Sequence, residues 1–148
     1  AERSGAPIQA FCRYSKDTIT NRNLIYEPDH IVGLDPTLVG PALVAGLKAG
    51  GWILINSPQS PDRFAQQFPY NRVATVDATT IARDNQLGTR SVPIVNTALA
   101  GAVGKILEFP LDEILAALAA GDTQLSRFRS PGSRRQSGPG SGDLAIQR

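Results

Sequence analysis

The chain has 148 residues, 41% of them hydrophobic and 19% charged, which excludes a disordered or fibrous protein and gives length for about one domain. No apolar run approaches the roughly 18 residues that span a bilayer, and no basic start followed by an apolar stretch marks a signal peptide. The formal charge of +2 is uneven: Arg127, Arg129, Arg134, Arg135 and Arg148 against Asp143 give +4 after residue 126, leaving −2 for residues 1–126. A near-neutral body argues against a nucleic-acid surface, which needs a clustered basic face.

In chain order, Pro7 to Tyr14 alternates apolar and polar residues and is expected to form a strand near a sheet edge or on a half-buried face. Residues 15–28 are polar and irregular. His30 to Leu34 is a compact apolar run suited to a buried strand, and Asp35 followed by Pro36 has the form of a helix start. Leu38, Ala42, Leu43, Ala45 and Leu47 continue at helical spacing, with the regular part expected from Pro41 and a stop at Gly50 and Gly51.

Trp52 to Ile55 is the next strand expected. Three prolines, Pro58, Pro61 and Pro69, make the following stretch a loop with a turn of helix around Phe64. Val73 to Val76 reads as another strand, and Asp77 as the cap of a short helix through Ile81 and Ala82. A turn after Gly88 leads into a helix rich in small residues. Its glycines, Gly101 and Gly104, each cost about 1 kcal/mol of helix propensity relative to alanine and so imply close packing. Pro110 opens a last helix with Ile114, Leu115 and Leu118 as its apolar stripe and Gly121 at its end.

Strands alternating with helices point to an α/β fold, expected as a three-layer α/β/α sandwich with a mostly parallel, Rossmann-like sheet. The domain is placed at residues 1–125. Residues 126–148, rich in Ser, Gly, Pro and Arg, are expected to be a flexible tail or linker, because such a composition buries too little apolar surface to offset its ordering entropy. That tail reads as a solvated spacer or as an arginine-rich arm for an acidic partner or nucleic acid.

The apolar runs end alike, at Asp35, Asn56 and Asp77. In an open parallel sheet the carboxyl ends of the strands share one edge, where ligands bind. These residues are therefore expected on a common rim, with Asn96 a candidate to join them; helix capping is the competing role for Asp35 and Asp77. Catalytic constellations are missing from the pattern. His30 is the one histidine and is read as structural or superficial, and Cys12, with no helix start or second cysteine nearby to activate it, as a packed thiol. A single cysteine also cannot hold an iron–sulfur cluster, which takes about four thiolates. Arg3, Arg13, Lys16 and Arg22 could make forked contacts with phosphate, or could be ordinary surface charges.

Several collinear segments carry a family resemblance: AERSGAPIQAFCRYS from Ala1, YEPDHIVGLDPTLV from Tyr26, GLKAGGWILINS from Gly46, VATVDATTIA from Val73, PIVNTALAGAVGKIL from Pro93 and LDEILAALAA from Leu111. Over residues 1 to about 121 the chain resembles the gamma component of the 2-oxoacid:ferredoxin oxidoreductases, the pyruvate synthase group. It departs from that family in lacking an N-terminal glycine-rich segment. With the opening on Ala1 and the absence of methionine, this makes a fragment or a processed piece the expectation.

The resemblance implies a component of an enzyme that decarboxylates a 2-oxoacid oxidatively with coenzyme A and passes electrons to ferredoxin, or runs the reverse. It further implies that thiamine diphosphate, magnesium and iron–sulfur clusters reside on alpha, beta and delta partners and that this chain binds no cofactor alone; the single cysteine, which excludes an internal disulfide, fits a cytoplasmic location. By motif position, Arg3, Arg13, Asn96 and Thr97 are expected to face coenzyme A or the assembly interface, and no residue is expected to be catalytic. Two other classes stay open: a free-standing α/β nucleotide-binding or regulatory module, and an interaction domain joined by its tail to a catalytic region.

Overall fold

A computed structural model describes residues 8–21, 23–89, 91–121 and 142–147. Contacts divide the chain into two compact units, one of residues 1–79 and 140–148, the other of residues 80–139. The first is built on strands β1 (Gln9–Tyr14), β2 (His30–Gly33), β3 (Trp52–Asn56), β4 (Arg72–Val76) and β5 (Gly142–Gln147). They form one sheet in the order β1-β5-β2-β3-β4. β5, β2, β3 and β4 run parallel, and β1 is antiparallel to β5. The fold is thus α/β with a mostly parallel sheet, as the alternating pattern predicts.

The register sets Phe11, Ala145, Ile31, Ile53 and Val73 in one row across the sheet. Ile31, Ile53 and Ala145 are buried there with Ile55, Leu43, Phe64 and Phe68, and Val39, Val44, Leu47 and Val73 pack against them. Ile53 and Ile55 are wholly inaccessible, which is why β3 reads as a continuous apolar run. At the other end of the row Phe11 is 40% exposed, because β1 is an edge strand.

Three expectations are corrected in this unit. The helix expected from Pro36 or Pro41 to Leu47 is instead a 3-10 turn, Pro36–Leu38, followed by hydrogen-bonded turns. Leu43 N–H donates to Gly40 and Leu47 N–H to Val44, both i to i−3 bonds, and Gly46 takes a φ of 82° that ends any helical course. Pro41, with no N–H to give, removes another helical bond. Secondly, Cys12 is an exposed free thiol and not a packed one, since β1 lies at the sheet edge. Thirdly, the stretch read as a flexible tail contains β5, whose Leu144 and Ala145 are buried; residues 122–141 and 148 lie outside the described ones. The single helical turn expected around Phe64 is present as α1 (Asp62–Ala65).

Helix α2 (Ala78–Asp84) begins at the end of the first unit and continues into the second. There α3 (Asn96–Ile106) and α4 (Leu111–Gly121) form a helical hairpin. Glu108, at φ 58°, turns the chain between them, with Phe109 N–H bonded to Gly104 O and Glu108 N–H to Lys105 O. These two bonds satisfy carbonyls that the end of α3 would leave open. Of the paired glycines only Gly104 has the packing role expected: a Cβ there would overlap the Ile114 side chain, whereas one on Gly101 would meet nothing within 4 Å. Gly104→Ala should therefore destabilise the second unit by about 1–3 kcal/mol, and Gly101→Ala should stabilise it by up to about 1 kcal/mol. Urea unfolding of both variants checks this, and similar shifts in the same direction would contradict it. Leu115, expected in the buried stripe, is 57% exposed.

Candidate functional site

The carboxyl ends of β2, β3 and β4 bring Asp35, Asn56 and Asp77 to one edge of the sheet, as parallel pairing requires. Asp35 caps the following turn. Its Oδ1 accepts from Thr37 N–H at 2.8 Å and from Thr37 Oγ1 at 2.7 Å. Asn56, 8% exposed, is a clamp: Nδ2 donates to Leu34 O and to Thr79 Oγ1, both at 3.1 Å, and Oδ1 accepts from Ala78 N–H at 3.0 Å. One amide thus ties the end of β2 to the start of α2: its oxygen caps α2 as an aspartate could, while its nitrogen makes two donations that an aspartate could not.

Beside this clamp lies a groove of about 410 Å³ between the loops that follow β2 and β3. Its polar lining comes from Thr37, Ser57, Gln59, Arg63 and Gln67, and Phe64 gives it an apolar wall. Ser57 is held by its backbone, its N–H on Val76 O and its Oγ accepting from Gln59 N–H. The lining contains an arginine and no carboxylate, which suits an anionic group. It also holds no nucleophile paired with a general base, so the chemistry it offers is binding.

The opposite edge carries another cavity, of about 280 Å³, lined by Tyr14, Asp29, His30, Lys48 and Gly142 among others. Lys48 Nζ meets Asp29 Oδ1 at 2.8 Å. His30 Nδ1 accepts from Trp52 N–H at 3.2 Å, which places the ring hydrogen on Nε2. Burial holds the His30 pKa below its usual value of 6.5; Asp29 opposes this, while Arg72 and Lys48 add to it. The histidine is therefore a neutral structural acceptor. Because the folded chain binds its proton less readily than the unfolded one, the stability it contributes is complete above about pH 6.5 and is lost as pH falls through the lower folded value. The urea midpoint is expected to drop between about pH 7.5 and about pH 5.5, and His30→Asn should flatten that drop; an equal slope in the variant would refute the assignment.

Of the residues expected to bind, Arg13 lies at the carboxyl end of β1. Since β1 is antiparallel, this is the edge opposite the Asp35–Asn56–Asp77 rim. Its guanidinium donates to the Asn21 carbonyl. Arg3 lies outside the described residues. Asn96 and Thr97 form the first turn of α3 in the second unit, after an N-cap, Val95, whose side chain makes no capping bond. Asn96 is exposed and Thr97 partly buried. Ser57, Gln59, Arg63 and Gln67 were not anticipated; the signal that could have found them is the rule that selected Asn56, extended into the loop after it. Among the described residues no group of three or more His, Cys, Asp or Glu could hold a metal, and no helix is long and apolar enough to cross a membrane.

Comparison with known proteins adds a family pattern to this geometry. Residues 1–122 match the model of the pyruvate ferredoxin/flavodoxin oxidoreductase family. The chain is 42% identical over 107 residues to the pyruvate/ketoisovalerate oxidoreductases common subunit gamma of Pyrococcus abyssi, covering 70% of this chain and 56% of that one. To the pyruvate synthase subunit PorC of Methanosarcina barkeri it is 40% identical over 121 residues, covering 80% and 64%. The crystal structure of pyruvate oxidoreductase subunit PORC from Thermotoga maritima superposes with a TM-score of 0.57 at 23% identity, over 78% of this chain and 69% of that one, a likeness of fold. The chain thus spans between about half and two thirds of the length of these relatives.

Proposed function

Because the chain belongs to the pyruvate ferredoxin/flavodoxin oxidoreductase family, we propose that it is the gamma component of a multisubunit 2-oxoacid oxidoreductase. In this reading the assembled enzyme cleaves the bond between the carboxylate and the keto carbon of pyruvate or another 2-oxoacid. It releases carbon dioxide, transfers the acyl group to coenzyme A and delivers a pair of electrons to ferredoxin; the reverse carboxylation is the same chemistry run backward. The observation that carries the proposal is the family match across residues 1–122, with relatives named as gamma and PorC subunits.

This chain's own part is structural, with a role in closing the coenzyme A site. In this reading thiamine diphosphate, magnesium and the iron–sulfur clusters sit on alpha, beta and delta partners, as the family resemblance implies, and no step of the reaction is routed through residues of this chain. Work in the cytoplasm is part of the same proposal. Arg13, Arg3, Asn96 and Thr97 are the proposed contacts to coenzyme A or to the partners, arginine being suited to its phosphates.

Arg13→Ala in the assembled enzyme is expected to raise the KM for coenzyme A by about ten-fold, the loss of one charge-assisted hydrogen bond. An unchanged KM together with unchanged assembly removes Arg13 from the interface. The proposal as a whole is tested by affinity purification of the tagged chain co-expressed with its neighbouring coding sequences. Thiamine-binding and ferredoxin-like polypeptides should co-purify, and a chain that emerges alone and binds a nucleotide without partners would favour a free-standing regulatory module instead.

A further inference from the structure

β5 holds an unusual place. Strands β1, β2, β3 and β4 all belong to the family-matched residues 1–122, yet β1 is joined to the others only through β5, which comes from outside that segment. β5 pairs six residues with β1, antiparallel, and four with β2, parallel, so that it is bonded along both edges. Its side chains fit the cleft from both faces. Leu144 stands opposite Cys12 and His30 and is buried, Ala145 lies in the core with Ile31 and Ile53, and Ile146 stands opposite Ala10 and Val32. At its start Gly142 accepts the Tyr14 ring so closely that a Cβ would overlap the hydroxyl.

We infer that the cleft between β1 and β2 is a strand-acceptor site, and that residues 142–147 are its occupant, a donor strand held by its own complementarity and not by its connection to α4. The partner that the cleft fits is an extended segment parallel to β2, small at its first position and apolar at the third to fifth. Insertion between two strands is β-augmentation on both edges at once: main-chain hydrogen bonds supply affinity, and the alternate side-chain pockets supply selectivity. Covalent attachment through residues 122–141 contributes only effective concentration, which for tethered segments is on the order of millimolar. This inference stands apart from the oxidoreductase reading and is tested separately from it.

Cys12 and Leu144 are directly opposed in the antiparallel pair. Opposed residues have Cα atoms about 4.5–5.5 Å apart, within the range a disulfide spans. Leu144→Cys in the full chain should therefore oxidise to a disulfide with Cys12 inside one chain, seen as a faster band on a non-reducing gel. The substitution also weakens the tethered strand, so a synthetic peptide of residues 140–148 that keeps Leu144, added at several times the effective concentration, should cut the yield by about two-fold or more. A scrambled peptide should leave the yield unchanged. No disulfide, or one that links two chains, would overturn the inference by removing β5 from its own cleft. A yield unaffected by the matching peptide, or lowered equally by the scrambled one, would overturn it by denying the cleft selective affinity for a free strand.

Discussion

Asn56→Ala is expected to lower the unfolding free energy of the first unit by about 3 kcal/mol. The amide makes three hydrogen bonds from a buried position, to Leu34 O, Thr79 Oγ1 and Ala78 N–H. Each contributes about 1 kcal/mol net, and leaving the partners unsatisfied adds a desolvation cost. Asn56→Asp should be nearly as harmful, because a carboxylate accepts from Ala78 N–H but cannot donate to Leu34 O. Chemical denaturation followed by Trp52 fluorescence reads the loss. A change below about 1 kcal/mol would mean that the rim is held by strand pairing alone.

The other large effect belongs to Gly46→Ala, expected to cost about 3 kcal/mol or more. Gly46 has φ 82°, where an L side chain is strained by about 1 kcal/mol. A Cβ there would also overlap the Tyr26 carbonyl oxygen, a backbone atom that no rotamer change can move. Relief requires the turn to lift from the Tyr26–Pro28 segment, breaking the Lys48 N–H bond to Pro28 O and withdrawing Leu43 and Leu47 from the core; overpacking of this kind costs about 1–3 kcal/mol. As a control, Gly50→Ala has the positive φ but open space around it, and should lose only about 1 kcal/mol. Equal losses for the two variants would show that strain alone, and not contact, sets the cost at Gly46.

What was legible in the sequence were the local, strongly patterned parts. The runs at His30 and Trp52 read as strands because both faces of a central parallel strand are covered and its residues are continuously apolar, the Val73 run reads as a strand though it lies at the sheet edge, and Asp35, Asn56 and Asp77 read as a rim because parallel strands end together. Non-local facts were hidden. Leu144-Ala145-Ile146 is too short a run, among Gly, Ser and Arg, to announce a strand; only two waiting neighbours, β1 and β2, make it one. The direction of β1 is likewise decided by its partner, so nothing in Gln9 to Tyr14 could tell that Arg13 lies on the edge away from the rim. The Pro36–Leu47 stretch has helical spacing, but Pro41 and the φ of Gly46 override it. Thr37 and Val39 meet Ser57, Arg63 and Gln67 only because the loops after β2 and β3 fold toward each other, a contact that spacing along the chain does not encode.

The carboxyl-edge groove and the clamp beside it give the first unit a polar concavity with an arginine and no carboxylate in its lining, suited to an anionic group. The central claim is tested most directly by reconstituting the assembly and measuring pyruvate-dependent reduction of a viologen dye with and without this chain. The account predicts dye reduction that requires coenzyme A and falls to background when this chain is left out. Equal, coenzyme A-dependent reduction in its absence would contradict it.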